Sequence, residues 1–236
     1  MEIAPGVYSM DQWKGGHVHA FLLADGPDLT LIDTLFDTDA GRIIERIRSI
    51  GRSVEDLKHI VLTHAHRSHL GGLATLKRMS GATVYSHEWE ADIVAGERVA
   101  QPVTPVPMRP LRTYWRVYYL QLGAALGRGK HPPCPVDATV EDGDIVGPVR
   151  VLHTPGHTPG HLAFWWPELR VLFAGDAMAS YPEFGPGWAA FNLNPTQHRG
   201  SLRRMAELDA DVLGVGHGDP ITAGAAERVR SLVEGR

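Results

Sequence analysis

The stretch Thr63 to Gly72, THAHRSHLGG, places His64, His66 and His69 close together and follows them at once with two glycines. No other feature constrains the fold as much, because imidazoles this near one another point to a shared cation. The preceding His59-Ile60-Val61-Leu62 is a β-branched run suited to a buried strand, so His64 and His66 fall where that strand leaves its sheet. At alternating positions they face the same way. Leu70 to Lys77 reads as a helix starting near His69, which brings the third ring back over the first two. Neutral imidazole suits a borderline-soft divalent metal such as zinc, which takes three or four convergent ligands. The remaining ligands must come from elsewhere in the chain.

Taken in order, residues 16–24 (GHVHAFLLA) and 29–33 (LTLID) read as a strand pair joined by the turn Asp25 to Asp28. Ile43, Ile44, Ile47 and Ile50 follow at helical spacing, with a cap expected from Asp37 to Asp39 and a stop at Gly51. After the histidine strand and its helix comes a strand at Ala82 to Ser86, and Ser86 is expected to cap a short helix through Trp89, Ile93 and Val94. Gln101 to Pro110 carries four prolines and excludes regular structure. Pro110 to Leu126 is a helical pattern with Tyr114, Trp115, Tyr118 and Tyr119 beside Arg112 and Arg116, and Arg109, Arg128 and Lys130 extend its basic character. The second half gives strands at Val149 to His153, Leu162 to Trp166, Arg170 to Ala174 and Val212 to Gly216. Helices are expected from Thr196 and from Thr222. Strands mixed with helices in both halves predict an α/β (α+β) fold of four layers, an αββα sandwich. We expect one domain over 1–236, with residues 88–138 as a proline-rich, aromatic and basic insert near the active site.

The chain has 236 residues, 43% of them hydrophobic and 21% charged, which is ordinary for a globular enzyme-sized domain. A formal charge of −4 supplies no basic field for nucleic acid. The lone Cys134 excludes an internal disulfide and a cysteine-built zinc site. No stretch reaches the roughly 18 apolar residues of a membrane span, and Met1 to Trp13 shows no basic region followed by an apolar core, so no signal peptide is expected. The expected location is the cytoplasm. A dimer is compatible with this composition, which does not fix the oligomeric state.

Four motifs in order, THAHRSH, TPGHTPGH, FAGD and GVGHG, make the chain resemble the metallo-β-lactamase-fold hydrolase superfamily, and within it stand-alone hydrolases similar to glyoxalase II and lactonases. The resemblance covers nearly the whole chain. It implies that His64, His66 and His157 bind a first metal, that His69 and His217 bind a second, and that Asp176 bridges the two. Asp176 and His217 are also the residues it assigns to catalysis. The implied chemistry is hydrolysis of a small ester, thioester, lactone or related acyl substrate, with metal-bound hydroxide as nucleophile.

One position departs from the family motif HxHxDH, where an aspartate ligates the second metal. Here that residue is Ser68. A neutral hydroxyl is a poor zinc ligand, so the expectation is one firmly bound Zn2+ and a second that is partial or absent. His19 is a candidate to complete the second position, since His17-Val18-His19-Ala20 stands where the family pattern resembles HVNA; the alternative is a histidine hydrogen-bonded within the sheet. His161 reads as support for its loop. Asp33 either orients a ligand histidine or serves as a cap. Phe184, Trp188 and Phe191 are expected to wall the pocket. The basic aromatic helix either caps the site and draws an anionic substrate or packs its rings on the core. Two other functions compete: a mononuclear Fe2+ oxygenase resembling persulfide dioxygenases, and a ligand-binding member of the fold that has lost turnover.

Overall fold

The computed structural model describes residues 1–100, 104, 106, 108–126 and 130–234. The first sheet contains β1 (Glu2–Ala4), β2 (Val7–Gln12), β3 (Val18–Asp25), β4 (Asp28–Ile32), β5 (Leu57–Val61), β6 (Thr83–Ser86) and β7 (Ala138–Thr139), hydrogen-bonded in that order. The second runs β12 (Val212–Gly214), β11 (Val171–Phe173), β10 (Leu162–Trp166), β9 (Val149–His153) and β8 (Ile145–Val146). An irregular turn, α1 (Lys14–His17), precedes β3. The longer helices are α2 (Gly41–Ser49), α3 (Leu73–Ser80), α4 (Glu88–Val94), α5 (Leu111–Ala125), α6 (Pro195–Ala206) and α7 (Ala225–Glu234).

Strand alternation builds the layers. Phe21, Leu23, Ile32 and Val61 of the first sheet meet Val149, Val151, Phe164 and Phe173 of the second in one buried cluster between the sheets. Their neighbours Ala20, Leu22, Leu31 and Ile60 face the other way, against Ile43 and Ile47 of α2, Leu73 and Leu76 of α3, and Ile93 of α4. On the far side, Leu152, Leu172 and Leu213 pack beneath Leu202 and Met205 of α6 and Val229 of α7. The αββα order follows. Each fully buried Phe or Leu contributes roughly 1.5–3 kcal/mol to holding these layers together.

Differences from the sequence expectations sit at element ends. β1 and β2, and the short β7 and β8, have too little apolar alternation to stand out. α3 begins at Leu73, because Arg67 to His69 form a 3-10 turn first. α2 is capped by no side chain, although Asp39 Oδ1 accepts from Gly41 N at 3.0 Å. His87, and not Ser86, caps α4 through Nδ1, and α6, capped by Asn194, begins at Pro195, one residue before Thr196. α7 starts after Thr222, at Ala225. Pro102, Pro105 and Pro107 of the proline-rich segment and Arg128 of the basic run lie outside the described residues. No helix among the described residues is long and apolar enough to cross a membrane.

The two sheets are stitched together at one end. Leu162 N donates to Thr63 O at 2.8 Å, and His19 N donates to Gly216 O at 2.8 Å. That end carries the histidines.

Candidate metal centre

His64 and His66 follow the end of β5, His69 ends the 3-10 turn after them, and His157 lies in the loop from β9 to β10. Asp176 sits in a 3-10 turn just past β11, and His217 comes just past β12. Strands of both sheets thus deliver these side chains to one edge. His64 Nε2 lies 2.9 Å from His66 Nδ1, and His157 Nε2 lies 3.1 Å from the same atom. Asp176 Oδ2 is 3.7 Å from His64 Nε2, 3.5 Å from His157 Nε2 and 3.2 Å from His217 Nε2. Its Oδ1 is 3.4 Å from His69 Nε2. Two sets of potential ligands emerge, His64–His66–His157–Asp176 and His69–Asp176–His217, sharing Asp176.

The donor set suits divalent cations. Imidazole nitrogens with one carboxylate are what zinc and iron accept, and His69 Nε2 and Asp176 Oδ1 are buried without a hydrogen-bond partner among the described residues. Orphaned polar atoms of this kind are rare in a folded protein. Burial drives His64 and His157 well below the usual histidine pKa, and His66 down to about 4, so these three rings keep their lone pairs free. His69 goes the other way: burial opposes its charge, but Asp176 and Asp33 overcome that and raise it to about 10. Asp176 is pushed up by burial, yet His217, His69 and His64 hold it well below the carboxylate range. Ser68 stands in the 3-10 turn Arg67–His69, directly before His69.

Three of the ligand histidines, His69, His157 and His217, are held from behind. Asp33 Oδ2 takes His69 Nδ1 at 2.9 Å, and the same carboxylate accepts from Thr63 N and Thr63 Oγ1, both at 2.8 Å. Asp33 therefore orients a histidine and is no helix cap. His157 Nδ1 donates to Asn192 Oδ1 at 3.1 Å, and His217 Nδ1 donates to Gly16 O at 2.8 Å. In both rings this leaves Nε2 as the acceptor. His161 accepts from Asp176 N at 3.1 Å through Nε2, which burial keeps neutral by lowering its pKa to about 3. Gly216 is required by close approach, since a Cβ there would overlap Asp176 Oδ1.

Two supports were not legible as such. Glu90, on α4, is buried and accepts from Ala65 N and Gly160 N, both at 3.0 Å, tying the first histidine motif to the loop that carries His157. Its only signal was an acid among apolar neighbours. Asn192 had no signal at all.

Trp188 stacks on His217 with centroids 4.2 Å apart, and Phe191 meets His66 edge-on at 6.0 Å. Phe184 does not join them. It packs instead with the α6–α7 layer, because the chain reverses through paired hydrogen bonds between Ala179 and Gly185. Tyr114, Val117, Tyr118 and Leu120 of α5 pack with Trp188, Ala190 and Phe191, while Trp115 and Tyr119 remain exposed. One edge of the helix therefore covers the aromatic wall. His19 is seated apart from the second ligand set, grouped with His17 and Asp219.

A model of the metallo-beta-lactamase superfamily matches residues 13–217. Among curated proteins, the chain is 27% identical to the probable metallo-hydrolase YflN of Bacillus subtilis, over 94% of this chain and 87% of that protein. It is 30% identical to a hydroxyacylglutathione hydrolase of Pseudomonas aeruginosa over 66% of this chain, spanning only 45% of that enzyme. Among solved structures, metallo-beta-lactamase family protein TTHA1429 from Thermus thermophilus superposes with a TM-score of 0.68 at 30% identity, covering 98% of this chain and 79% of that one. TTHA1623, solved in a di-iron-bound form, gives 0.65 at 26% identity over 94% and 98% of the two chains.

Proposed function

Because the chain belongs to the metallo-beta-lactamase superfamily and is a metallo-hydrolase, we propose that it cleaves a small ester, thioester or lactone, using zinc held firmly by His64, His66, His157 and Asp176. A second ion is held more weakly by His69, Asp176 and His217. The observation that carries this reading is the forked placement of Asp176, with Oδ2 toward His64, His157 and His217 and Oδ1 toward His69. When bound, a divalent metal lowers the pKa of water to about 7 and polarises an acyl carbonyl.

The chain's own residues supply the rest. Asp33, Asn192 and the Gly16 carbonyl fix which nitrogen each ligand ring presents. Trp188 and Phe191 give an apolar wall beside His217 and His66, which excludes water from the acyl group. Arg116, over Trp13 at 5.9 Å, is a cation on the helix whose Val117 and Leu120 pack on this wall, and it favours an anionic substrate. The hydroxyacylglutathione hydrolase relative supports a thioester as the first substrate to try.

The di-iron-bound form of TTHA1623 supports iron as an occupant of such a centre, and the second reading is a mononuclear iron oxygenase, whose reaction would consume oxygen. Protein loaded separately with zinc and with iron, assayed on thioesters, lactones and esters and in an oxygen electrode, separates the two. Zinc-dependent acyl cleavage supports hydrolysis; oxygen uptake confined to the iron form replaces it. Tight binding of acyl compounds without turnover by either form would mark a ligand-binding protein.

A further inference from the structure

Outside the centre described above, His17, His19 and Asp219 each offer a ligand atom, and these atoms lie within 4.8 Å of one another. His17 Nε2 stands 3.7 Å from Asp219 Oδ1 and 3.7 Å from Asp11 Oδ2. Those separations are too long for hydrogen bonds, but two ligands each about 2.1 Å from one tetrahedral ion lie roughly 3.4 Å apart. His19 and Asp11 are cross-strand partners on β3 and β2, so they share a face. Asp11 also faces Arg42, at 3.6 Å through Oδ1, which leaves its Oδ2 for the cluster.

The second and independent observation is His19 itself. The residue is 3% exposed, Nδ1 pairs with Ser9 Oγ at 2.8 Å, and Nε2 is buried without any partner among the described residues. A ring nitrogen bound to an oxygen while the other stays bare is how a protein fixes a metal-ligating histidine. An ion pair between His17 and the two carboxylates would leave His19 Nε2 orphaned. Trp13 locks His17 by stacking at 4.2 Å, nearly parallel.

We propose that His17, His19 and Asp219, assisted by Asp11, form a separate zinc-class site, open to solvent on the Asp219 side. It differs from the second ligand set of the hydrolytic centre and does not depend on the function proposed above. Its position gives it a consequence. Gly218 N donates to His17 O at 2.8 Å, His19 N donates to Gly216 O at 2.8 Å, and His217 lies between these two clasps. An ion here cross-links the end of α1 at His17 and the start of β3 at His19 to the loop bearing His217 and Asp219.

The test is zinc binding by equilibrium dialysis with zinc chloride alone, comparing wild type with Asp219→Asn, His19→Gln and His66→Ala. Asp219 is exposed, so its variant folds even where a substitution at buried His19 does not. The expected result is one equivalent fewer in Asp219→Asn, with that same equivalent retained in His66→Ala, and an anomalous zinc peak between His17, His19 and Asp219 in soaked crystals. Unchanged stoichiometry in Asp219→Asn, or no peak there, overturns the proposal. Failure of the hydrolytic centre would show separately, as no difference between wild type and His66→Ala.

Discussion

Asp33 Oδ2 and His69 Nδ1 lie 2.9 Å apart, both buried, in a chain of contacts that runs from the backbone of the histidine motif to the second ligand set. A carboxylate behind an imidazole fixes the tautomer and raises ligand basicity. Asp33→Ala should therefore weaken the His69 position by about 10–100-fold in metal affinity while leaving the His64–His66–His157 set occupied. Metal titration monitored by competition with a chelating dye reads both affinities at once.

Glu90 should act on stability. Glu90→Ala leaves Ala65 N and Gly160 N unpaired in the interior, at about 1–3 kcal/mol for each. Urea unfolding of the metal-free protein should show the midpoint falling accordingly. An unchanged midpoint would mean that water replaces the carboxylate.

The order of these parts was legible unevenly. Ligand chemistry admits few residue types, so the cluster of His64, His66 and His69 stood out from the residues alone, whereas His157, Asp176 and His217 were named only through the resemblance of their motifs to a known family. The layer order was legible too, because alternation as in Phe21-Leu22-Leu23 marks which side faces which layer. Asn192 and Glu90 were not legible, since an amide or acid acquires its role only from a partner distant in sequence. Phe184 failed for a similar reason: the turn closed by Ala179 and Gly185 decides which layer receives it. Helix caps slipped by one or two residues where several polar side chains competed, as with Ser86 and His87.

Gly216 should tolerate no side chain. The Cβ of Gly216→Ala would overlap Asp176 Oδ1, so the carboxylate must rotate away or the loop must shift. Overpacking of this kind costs about 1–3 kcal/mol. The variant should also lose metal from both ligand sets, because Asp176 serves both. Thermal unfolding with and without added zinc measures the two effects, the second as a smaller zinc-induced rise in Tm.

His161 should shape the acid limb of stability. Its folded pKa, lowered to about 3 by burial, lies below the ordinary value of 6.5. The unfolded chain then binds protons that the folded chain refuses, so stability rises with pH across this window. The stabilising contribution is present above about 6.5 and is lost as pH falls toward 3. His161→Gln retains an acceptor for Asp176 N and removes the titration, so Tm of the metal-free protein should fall less steeply between these limits than in wild type. Parallel curves would show that other buried histidines dominate.

The proposed centre holds one metal firmly and a second weakly because Ser68 stands where the related motif has a carboxylate. Restoring that charge with Ser68→Asp is the decisive experiment, with metal per chain counted by plasma mass spectrometry after identical dialysis against a mild chelator. Ser68→Asp should retain about one equivalent more than wild type, and His66→Ala should lose the firmly held ion. Equal, full occupancy of both positions in wild type and Ser68→Asp would contradict this assignment.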